Sequence, residues 1–418
     1  MNLRPYQVEA KNAVLHEWEG GKRKTLLVLP TGCGKTIVFA SIIQDRVSRG
    51  GRALVLAHRE ELLQQASDKI KTVTGMETAL ERGASSAWNT SLPVTVGSIQ
   101  SFCRPNRLGQ YPHDYFTDII VDEAHHCLSE TYQTVLKHFD SANVLGVTAT
   151  PDRGDKKNLT DFFESTAYEY SMRMAVAQGY LSRIIAKMIP LEIDLKAVKV
   201  SCGDYIASDI GHALEPYLER IAAVMSRECL GRKTVVFLPL VSTSQKFCRL
   251  LQEQGLRAAE VNGESENRAQ ILEEFEQGRY SVLCNSMLLT EGWDCPSVDC
   301  IVVLRPTKSR ALYCQMVGRG MRLSPNKENL LLLDFLWMTE KHSLCRPSAL
   351  VSKSDEIAQK INSRTLDVEC DLLEAEEQAE RDVVHVQERE NSIAAELNRQ
   401  RHRKAKTVDP LQYAYSIA

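Results

Sequence analysis

Short apolar runs recur along the first part of the chain, and stretches rich in Glu, Leu, Gln and Lys separate them. Continuous apolar runs of this length are typical of strands buried on both faces of a sheet. Strands that alternate with helices predict a parallel sheet covered by helices on both sides. The predicted strands are 25–29, 53–57, 93–97, 118–122 and 143–148.

The same alternation returns in the second part of the chain and predicts a second α/β domain. Its predicted strands are 234–238, 257–261, 280–284, 299–303 and 330–333. Glycines and prolines punctuate the stretch between the two sets, so we interpret it as a hinge with a helix on each side. The predicted domains are residues 1–165 and 216–345, and the predicted hinge region is 166–215.

Residues 346–418 change in character and predict a helical C-terminal extension, because they contain few glycines or prolines. An acidic stretch at 367–382 precedes a basic cluster at 399–406. We expect a solvated helical arm. A contact of its basic end with nucleic acid is the alternative.

The composition narrows the class of protein. The chain has 418 residues, of which 43% are hydrophobic and 25% charged, as in an ordinary globular protein of two or three domains. A net charge of −3 argues against a protein that coats nucleic acid through bulk electrostatics, although a neutral sum can hide a basic groove.

Cysteine usage and the absence of targeting segments point to the inside of a cell. The 12 cysteines include no Cys-x-x-Cys pair, so we expect no zinc or iron–sulfur site. Reduced thiols fit an intracellular protein. No apolar export segment opens the chain, and no apolar run is long enough to cross a bilayer, so a cytoplasmic location and no membrane contact are predicted.

The stretch LVLPTGCGKTIVFA, residues 27–40, nearly matches a phosphate-binding loop. That pattern requires Gly, four residues, then Gly-Lys-Ser/Thr, and here Leu29 stands where the first Gly is expected. The context is a strand, a Gly-rich turn and a helix start, which together form an anion site. The residues expected to hold the phosphates are Thr31, Gly32, Cys33, Gly34, Lys35 and Thr36.

The second half of a nucleotide site stands at the end of the apolar run IIVDEAH, residues 119–125. A carboxylate at a strand end can hold Mg²⁺ opposite the Thr36 hydroxyl, so Asp122 is the expected metal ligand. The adjacent Glu123 is then placed to activate water. The separation from Lys35 leaves room for about three strand–helix units, so both motifs can lie on the edge of one sheet.

Further motifs occur in a fixed order along residues 1–340: TATP at 148–151, TEGWDCP at 290–296 and QMVGRGMR at 315–322. Together with PTGCGKT and DEAH, they resemble the superfamily 2 helicases, and among these the DNA-directed branch with XPB, the type III restriction translocase subunits and RadD. The resemblance implies two tandem RecA-like domains that use ATP and Mg²⁺. That family also tolerates a residue other than Gly at the position of Leu29.

The resemblance implies several further roles on the nucleotide side. Arg4 and Gln7 in LRPYQ resemble an adenine-reading motif, and a buried helix cap is the alternative interpretation. His125 belongs to the nucleotide-binding DEAH motif. Thr148 and Thr150 resemble the residues that couple the state of the γ-phosphate to domain closure, although a plain strand end fits them equally well.

The last motif contains Gln315, Arg319 and Arg322. The resemblance implies that these residues face the nucleotide from the second domain, across a cleft between the two domains. The two arginines, three residues apart, share one face of a helix and would stabilise the charge of the transition state. Two surface arginines are the alternative. Gly292 and Asp294 would touch the ribose side of the nucleotide.

Other positions resemble those that hold a nucleic-acid backbone along both domains. Hydroxyl and amide contacts to phosphate fix register without reading sequence. Helix capping or surface ion pairing is the alternative for each position. These residues are Arg59, Ser98, Gln100, Arg268 and Thr290.

The expected function is that of an ATP-dependent DNA helicase or translocase that moves 3′ to 5′ on single-stranded, duplex or branched DNA. The alternatives are an RNA helicase, an ATP-gated module that binds or anneals branched DNA, and the motor subunit of a nuclease complex. RNA is the less favoured partner. The resemblance also implies a bacterial or phage-like protein and a nuclease, replication or repair protein as partner.

Overall fold

The structure is a computed structural model. It describes residues 3–58, 60–150, 159–191, 198–201, 203–290, 292–337, 344–352, 354–386 and 388–389. The described chain forms two seven-stranded sheets and one two-stranded hairpin, with helices packed against the sheets. The expected α/β fold with two parallel-sheet domains is therefore confirmed.

The first sheet is fully parallel and has the order β3-β4-β2-β5-β6-β1-β7. Its strands are β1 Lys24–Val28, β2 Ala53–Ala57, β3 Ala79–Glu81, β4 Val94–Ser98, β5 Asp118–Asp122, β6 Asn143–Thr148 and β7 Ser165–Glu169. Its α-helices are α1 Pro5–Glu19, α2 Lys35–Ser48, α3 Glu60–Thr74, α4 Ile99–Phe102, α5 Pro105–Leu108 and α6 Glu130–His138. We call this part lobe 1.

The second sheet has the order β12-β13-β11-β14-β15-β8-β16, in which only the last pair is antiparallel. The remaining strands are β8 Ile184–Leu191, β9 Val200–Ser201, β10 Asp204–Tyr205, β11 Thr234–Phe237, β12 Ala258–Val261, β13 Val282–Asn285, β14 Cys300–Val303, β15 Leu330–Trp337 and β16 Cys370–Asp371. The α-helices are α7 Met172–Ala177, α8 Ala207–Leu214, α9 Leu218–Glu228, α10 Val241–Glu253, α11 Arg268–Glu276, α12 Arg310–Gly318 and α13 Asp355–Arg364. We call the part from β8 onwards lobe 2, and a further helix covers 372–386.

Short 3₁₀ turns complete the described elements. They are Ala124–His126, Leu159–Asp161, Glu215–Tyr217, Leu288–Thr290 and Pro347–Leu350. None of the helices in the described ranges has the length and apolar character that a bilayer crossing would need.

The predicted strands 53–57, 118–122 and 143–148 have the observed bounds. Each is almost wholly buried, because helices cover both faces of the central strands, and a continuous apolar run is the direct consequence. The strong hydrophobic signal therefore located the centre of lobe 1 well.

The predicted hinge at 166–215 is wrong in part, since β7 belongs to the first sheet and β8 to the second. The segment that crosses between the sheets is residues 170–183, which is shorter than the predicted hinge. β8 contains Pro190, which argues against a strand in a sequence pattern. Here β16 pairs with β8 only near its start, at Ile185 and Ala186, so the proline lies where a missing N–H is tolerated.

The expectation of a solvated arm is also wrong for the described part of the C-terminal extension. Leu372, Ala375 and Ala379 are buried on one face of helix 372–386. Their helical spacing is that of an amphipathic helix packed on a core. Arg173 forms ion pairs with Glu376 and Glu380, which attach this helix to the crossing between the lobes. The basic cluster at 399–406 lies outside the described residues.

Candidate active site

The phosphate-loop candidate begins where β1 ends. The backbone N–H of Leu29 donates to the Thr148 carbonyl at 3.0 Å, so Leu29 continues the strand and needs no glycine conformation. Gly32 and Gly34 have φ of +90° and +75°, which L side chains rarely adopt. A Cβ on Gly34 would also lie 2.7 Å from Gln7 Nε2. The turn therefore depends on these two glycines, while Leu29 serves the sheet.

A cavity of about 490 Å³ lies over this turn and is walled by both lobes. Lobe 1 contributes Thr31, Gly32, Gly34, Lys35, Thr36, Ile37, Asp122 and Glu123. Lobe 2 contributes Gly292, Trp293, Asp294, Arg319 and Arg322. The carboxylates, the lysine and the two arginines predicted from separate motifs thus line one space.

Glu123 has a backbone strained for a non-glycine residue, with φ of 51° and ψ of 59°. Its side chain is buried, and His125 Nδ1 lies 3.4 Å from Glu123 Oε2. Burial raises the pKa of the Glu123 carboxyl, but the charges of Lys35, His125 and Arg319 outweigh it and hold that pKa well below its usual range. An ionised carboxylate therefore faces the phosphate turn. His125 contacts Glu123 but does not line the cavity.

Lobe 2 aims its arginines by backbone carbonyls and one carboxylate. Arg319 is buried and donates from Nε to the Thr290 carbonyl at 3.0 Å and from Nη1 to the Trp293 carbonyl at 2.7 Å. Arg322 forms an ion pair with Asp294. At the end of α12, a Cβ on Gly318 would lie 2.5 Å from Thr31 Cβ, so the arginine segment packs directly on the phosphate turn.

The N-terminal motif LRPYQ forms a helix cap, which is the alternative interpretation of Arg4 and Gln7. Gln7 Oε1 accepts a hydrogen bond from the Arg4 backbone N–H at 2.9 Å, and Gln7 Nε2 donates to the Cys33 carbonyl at 3.1 Å. Tyr6 donates to the same Cys33 carbonyl at 2.8 Å. Arg4, Gln7 and Cys33 do not line the cavity. The structure therefore uses Gln7 to support the turn, and contact with adenine stays a prediction.

The coupling candidates lie beside the phosphate strand. The Thr148 hydroxyl donates to the Thr150 carbonyl at 2.8 Å and accepts from the Thr150 N–H at 3.3 Å. Thr150 lines a second cavity, of about 190 Å³, with Arg310 and Cys314 of lobe 2. Gln315 is buried in α12 and does not line the nucleotide cavity. Thr150 thus lies at a contact between the lobes, where a coupling residue is expected.

The nucleic-acid candidates are only partly brought together. Ser98 donates to Gln100 Oε1 at 2.6 Å, and Gln100 Nε2 donates to the His58 carbonyl at 2.7 Å, so these residues form one group at the ends of β4 and β2. Arg268 begins α11 on the other lobe. Arg59 lies outside the described residues.

Thr290 has a different environment from the one expected of a backbone contact. It is buried, its hydroxyl donates to the Met287 carbonyl at 2.7 Å, and its own carbonyl holds Arg319. In this conformation Thr290 supports the arginine rather than the surface.

Sequence reasoning missed one wall of the cavity, which α3 provides. Gln65 Nε2 on this helix donates to the Gly292 carbonyl of lobe 2. The helical spacing of the lining positions, three or four residues apart, is a signal that could have indicated a common face. These residues are Leu62, Gln65, Asp68, Lys69 and Thr72.

The donor set suits a nucleoside triphosphate with Mg²⁺. Thr36 and Asp122 line the same cavity as Lys35, and Mg²⁺ typically takes one or two protein oxygens together with phosphate oxygens. Across the described residues, no cluster of three or more His, Cys, Asp or Glu side chains could hold a metal ion. Thr36 and Asp122 would be the protein ligands of such a metal.

Two family models match the two lobes separately. Residues 1–153 match the model described as "Type III restriction enzyme, res subunit", and residues 218–324 match the "Helicase conserved C-terminal domain". The chain belongs to the superfamily 2 helicases and translocases. The shared cavity of this helicase lies between the two matched regions, with its lysine in one and its arginines in the other.

Relatives of this helicase agree with that assignment. The Saccharomyces cerevisiae protein named "Putative ATP-dependent helicase IRC3" is 29% identical over 85% of this chain and 54% of its own length. The DNA 3′-5′ translocase XPB2 of Sulfurisphaera tokodaii is 24% identical over 79% of this chain and 81% of its own. A fragment of a type I restriction HsdR subunit from Vibrio vulnificus has a TM-score of 0.64 and 25% identity, covering 79% of this chain and 64% of that one. The chain spans about half the length of the yeast relative.

Proposed function

We propose that this protein is a motor that hydrolyses ATP between its lobes and uses the cycle to move along or remodel DNA. The observation that carries the proposal is the position of Arg319 and Arg322, which line the same cavity as Lys35 and Glu123. Neither lobe alone contains this combination. A site that needs both lobes links the state of the nucleotide to their relative position.

The residues divide the work of hydrolysis among them. Lys35 and the N–H groups of the glycine turn bind the phosphates. Thr36 and Asp122 would hold Mg²⁺, which would supply positive charge beside the phosphate oxygens. Glu123, kept ionised by its cationic neighbours, orients the attacking water and accepts its proton. Arg319 and Arg322 stabilise the charge that develops on the transferred group.

The same arrangement supports coupling to motion. The guanidinium groups of lobe 2 are attracted to the triphosphate on lobe 1, so the closed arrangement is favoured while the triphosphate is present. Hydrolysis and phosphate release remove that attraction. A ligand shifts an equilibrium between conformations only through its different affinity for them, and the arginines supply that difference.

DNA is the proposed track. The relative XPB2 is named as a DNA translocase and matches over most of both chains. The linked side chains of Ser98 and Gln100 at the strand ends of lobe 1 are of the kind that hold a backbone without reading sequence. Low sequence specificity is the expected consequence.

The deciding experiment is ATP hydrolysis by the purified chain with no polymer, single-stranded DNA, duplex DNA or RNA. We expect DNA to stimulate hydrolysis and RNA to stimulate it less. Lys35→Ala is the control that removes phosphate binding and exposes contaminating activity. Equal rates in all four conditions would contradict a nucleic-acid motor, and stimulation by RNA alone would make the protein an RNA helicase.

A second assay separates modes of action on DNA. Strand displacement from a partial duplex reports unwinding, while displacement of a triplex-forming strand reports translocation on an intact duplex. DNA-stimulated hydrolysis with neither displacement would favour an ATP-gated module for branched DNA. Recovery of displacement on adding a nuclease partner would favour a motor subunit.

A further inference from the structure

The segment that carries the arginine pair lies just past the end of a helix. α12 ends at Gly318, and the last carbonyls of a helix lack partners within it. Lys327 returns to this point and donates from Nζ to the carbonyls of Gly320 and Arg322, the second at 2.8 Å. Its ammonium thus supplies partners to the arginine segment itself.

The same ammonium reaches a second loop. Lys327 Nζ lies 3.4 Å from the carbonyl of Pro296. Pro296 closes the loop whose carbonyls at Thr290 and Trp293 hold the Arg319 guanidinium. An ammonium has three donors in a compact group, and here they meet three carbonyls from two loops. Lys327 therefore joins the segment that carries the arginines to the loop that aims one of them.

The environment of Lys327 is unusual for a lysine, whose head group is normally in water. Burial lowers the pKa of the Lys327 ammonium to about 8, the Asp299 carboxylate opposes this, and the neighbouring Arg322 adds to it. Placing a second cation close to Arg322 is unfavourable for folding by itself. The hydrogen bonds of Lys327 Nζ to carbonyls of the two arginine-holding loops offset part of that cost.

A second attachment holds the arginine segment from the crossing between the lobes. Ser182, in the crossing between the lobes, donates from its backbone N–H to the Met321 carbonyl at 2.7 Å and from its hydroxyl to the Arg322 carbonyl at 3.1 Å. The segment therefore keeps one attachment if Lys327 is replaced. We expect loss of Lys327 to loosen the arginines without unfolding lobe 2.

We propose that Lys327 is a positioning residue for ATP hydrolysis, which locks the arginine segment 319–322 to the loop at Trp293 and Pro296 so that Arg319 meets the transferred phosphate. This rests on the proposed function. Lys327 does not line the nucleotide cavity, so it acts through the arginines rather than on the nucleotide. Displacement of a catalytic group by about 1 Å can cost roughly 10²-fold in rate.

The test asks whether Lys327→Met weakens stabilisation of the transition state more than it weakens binding of ATP and ADP. We expect DNA-stimulated kcat to fall about 10- to 100-fold, while the KM for ATP and the affinity for ADP change less than about threefold. Affinity for ADP with aluminium fluoride, which mimics the transferred phosphate, should fall in parallel with kcat. Lys187→Met is the matched control, since Lys187 is also a partly buried lysine of lobe 2 and its ammonium pairs with Glu228, away from the arginines.

A double-mutant cycle shows whether Lys327 works through Arg319. If it does, Lys327→Met should cost little further rate in an Arg319→Ala background, because residues that act as a unit are non-additive. Full additivity would overturn the proposal, as would a wild-type kcat in Lys327→Met. Equal losses in Lys187→Met would reduce the effect to general destabilisation and would also overturn it.

The design separates this proposal from the proposed function. A wild-type chain without hydrolysis on any polymer would overturn both. Hydrolysis in the wild type, with a large loss in Arg319→Ala and none in Lys327→Met, would overturn only the positioning role. If thermal melting shows that Lys327→Met is poorly folded, Lys327→Arg serves instead. This variant keeps the charge but cannot meet the three carbonyls with a compact head group, and a loss in kcat without a loss in ADP affinity is again expected.

Discussion

The two sheets agree place by place in strand order, and they differ in the loops that leave the strand ends. β1 of lobe 1 and β8 of lobe 2 occupy the same place, next to the last strand of their sheets. β5 and β14 likewise share the central place. β1 leads into the glycine turn and β5 ends in Asp122, whereas β14 ends in Val303 and no Gly-Lys-Thr comes after β8. The common scaffold therefore bears a phosphate site in lobe 1 alone.

This difference shows how two copies of one fold can make different contributions to a single site. Lobe 2 contributes α12, whose end packs on Thr31 and delivers Arg319 and Arg322 to a site built by lobe 1. Function lies in the loops at the strand ends rather than in the sheets. Hydrolysis should therefore respond separately to changes in each lobe, while nucleotide binding should depend mostly on lobe 1.

The largest effect is expected from removing the contribution of lobe 2. Arg319→Ala should lower kcat about 10³- to 10⁵-fold, since an arginine that stabilises the transferred phosphate contributes on that scale. Affinity for ADP should change little, because lobe 1 holds the phosphates. Steady-state hydrolysis and fluorescent ADP binding provide the measurements.

Arg319 also has a structural role that needs a control, because it is buried and bonded to Thr290 and Trp293. Arg319→Lys keeps the charge but cannot donate in both directions, so we expect it to lose most of the rate with a smaller drop in melting temperature. An unchanged kcat in either variant would contradict the division of work between the lobes.

The next largest effect is expected in lobe 1. Glu123→Gln should lower kcat about 10²- to 10⁴-fold, because the amide cannot accept the proton from water. ATP binding should persist, since Lys35, Thr36 and Asp122 are unchanged. Trapping of unhydrolysed ATP on the variant is the measurement. Turnover at the wild-type rate would show that another group activates the water.

The sequence predicted the residues that line the cavity better than the contacts that support them. Lys35, Asp122 and Glu123 come after strongly apolar runs, so their place at one sheet edge could be predicted from periodicity and order. The backbone carbonyls that position Arg319 cannot be predicted from a pattern of side chains, because every residue has a backbone carbonyl. The double use of Gln7, as a cap and as support for Cys33, is likewise decided by tertiary contacts.

Edge elements were missed for a different reason. β3 and β16 have only three and two residues, and each contains a buried carboxylate, Glu81 or Asp371. β7 is partly exposed at the edge of its sheet, and β8 contains a proline. The helix at 372–386 was expected, but its packing on the core was not, because it is rich in acidic residues and its small buried alanines give little contrast with them. Pairing and packing between distant segments decided these elements, and one sequence does not display such contacts.

A smaller effect is expected where lobe 1 reaches lobe 2 directly. Gln65→Ala removes the hydrogen bond from α3 to the Gly292 carbonyl, and one such bond contributes about 0.5–1.5 kcal/mol. We expect kcat/KM for ATP to fall roughly two- to tenfold through a less stable closed state. Gln64→Ala on the same helix is the matched control, because Gln64 bonds to Asp68 within lobe 1. Equal losses in both variants would assign the effect to the helix rather than to the contact between lobes.

The last strand of each sheet leads to a pair of charged side chains that should affect stability rather than hydrolysis. β7 leads to Arg173 and β16 leads to Glu376, and the two side chains meet at 3.5 Å. Burial raises the pKa of the Glu376 carboxyl to about 7, with Glu377 and Glu380 adding to this and Arg173 opposing it. The folded protein therefore binds more protons than the unfolded chain between pH 4.5 and 7, so this contribution to stability is lost as pH rises through that window.

Glu376→Gln lacks this titration. Its melting temperature should rise relative to that of the wild type as pH increases from 5 to 8, and the corresponding gain in the free energy of unfolding should reach at most about 3 kcal/mol at pH 8. Asp334, whose pKa burial also raises to about 7, contributes the same slope to both proteins and cancels in the difference. Glu369→Gln, which removes an exposed carboxylate of the same C-terminal segment, is the matched control for the loss of one charge. A difference that stays flat with pH would mean that Glu376 is ionised in the folded protein throughout this range, and that Arg173 of α7 and Glu376 of the helix 372–386 form a simple ion pair.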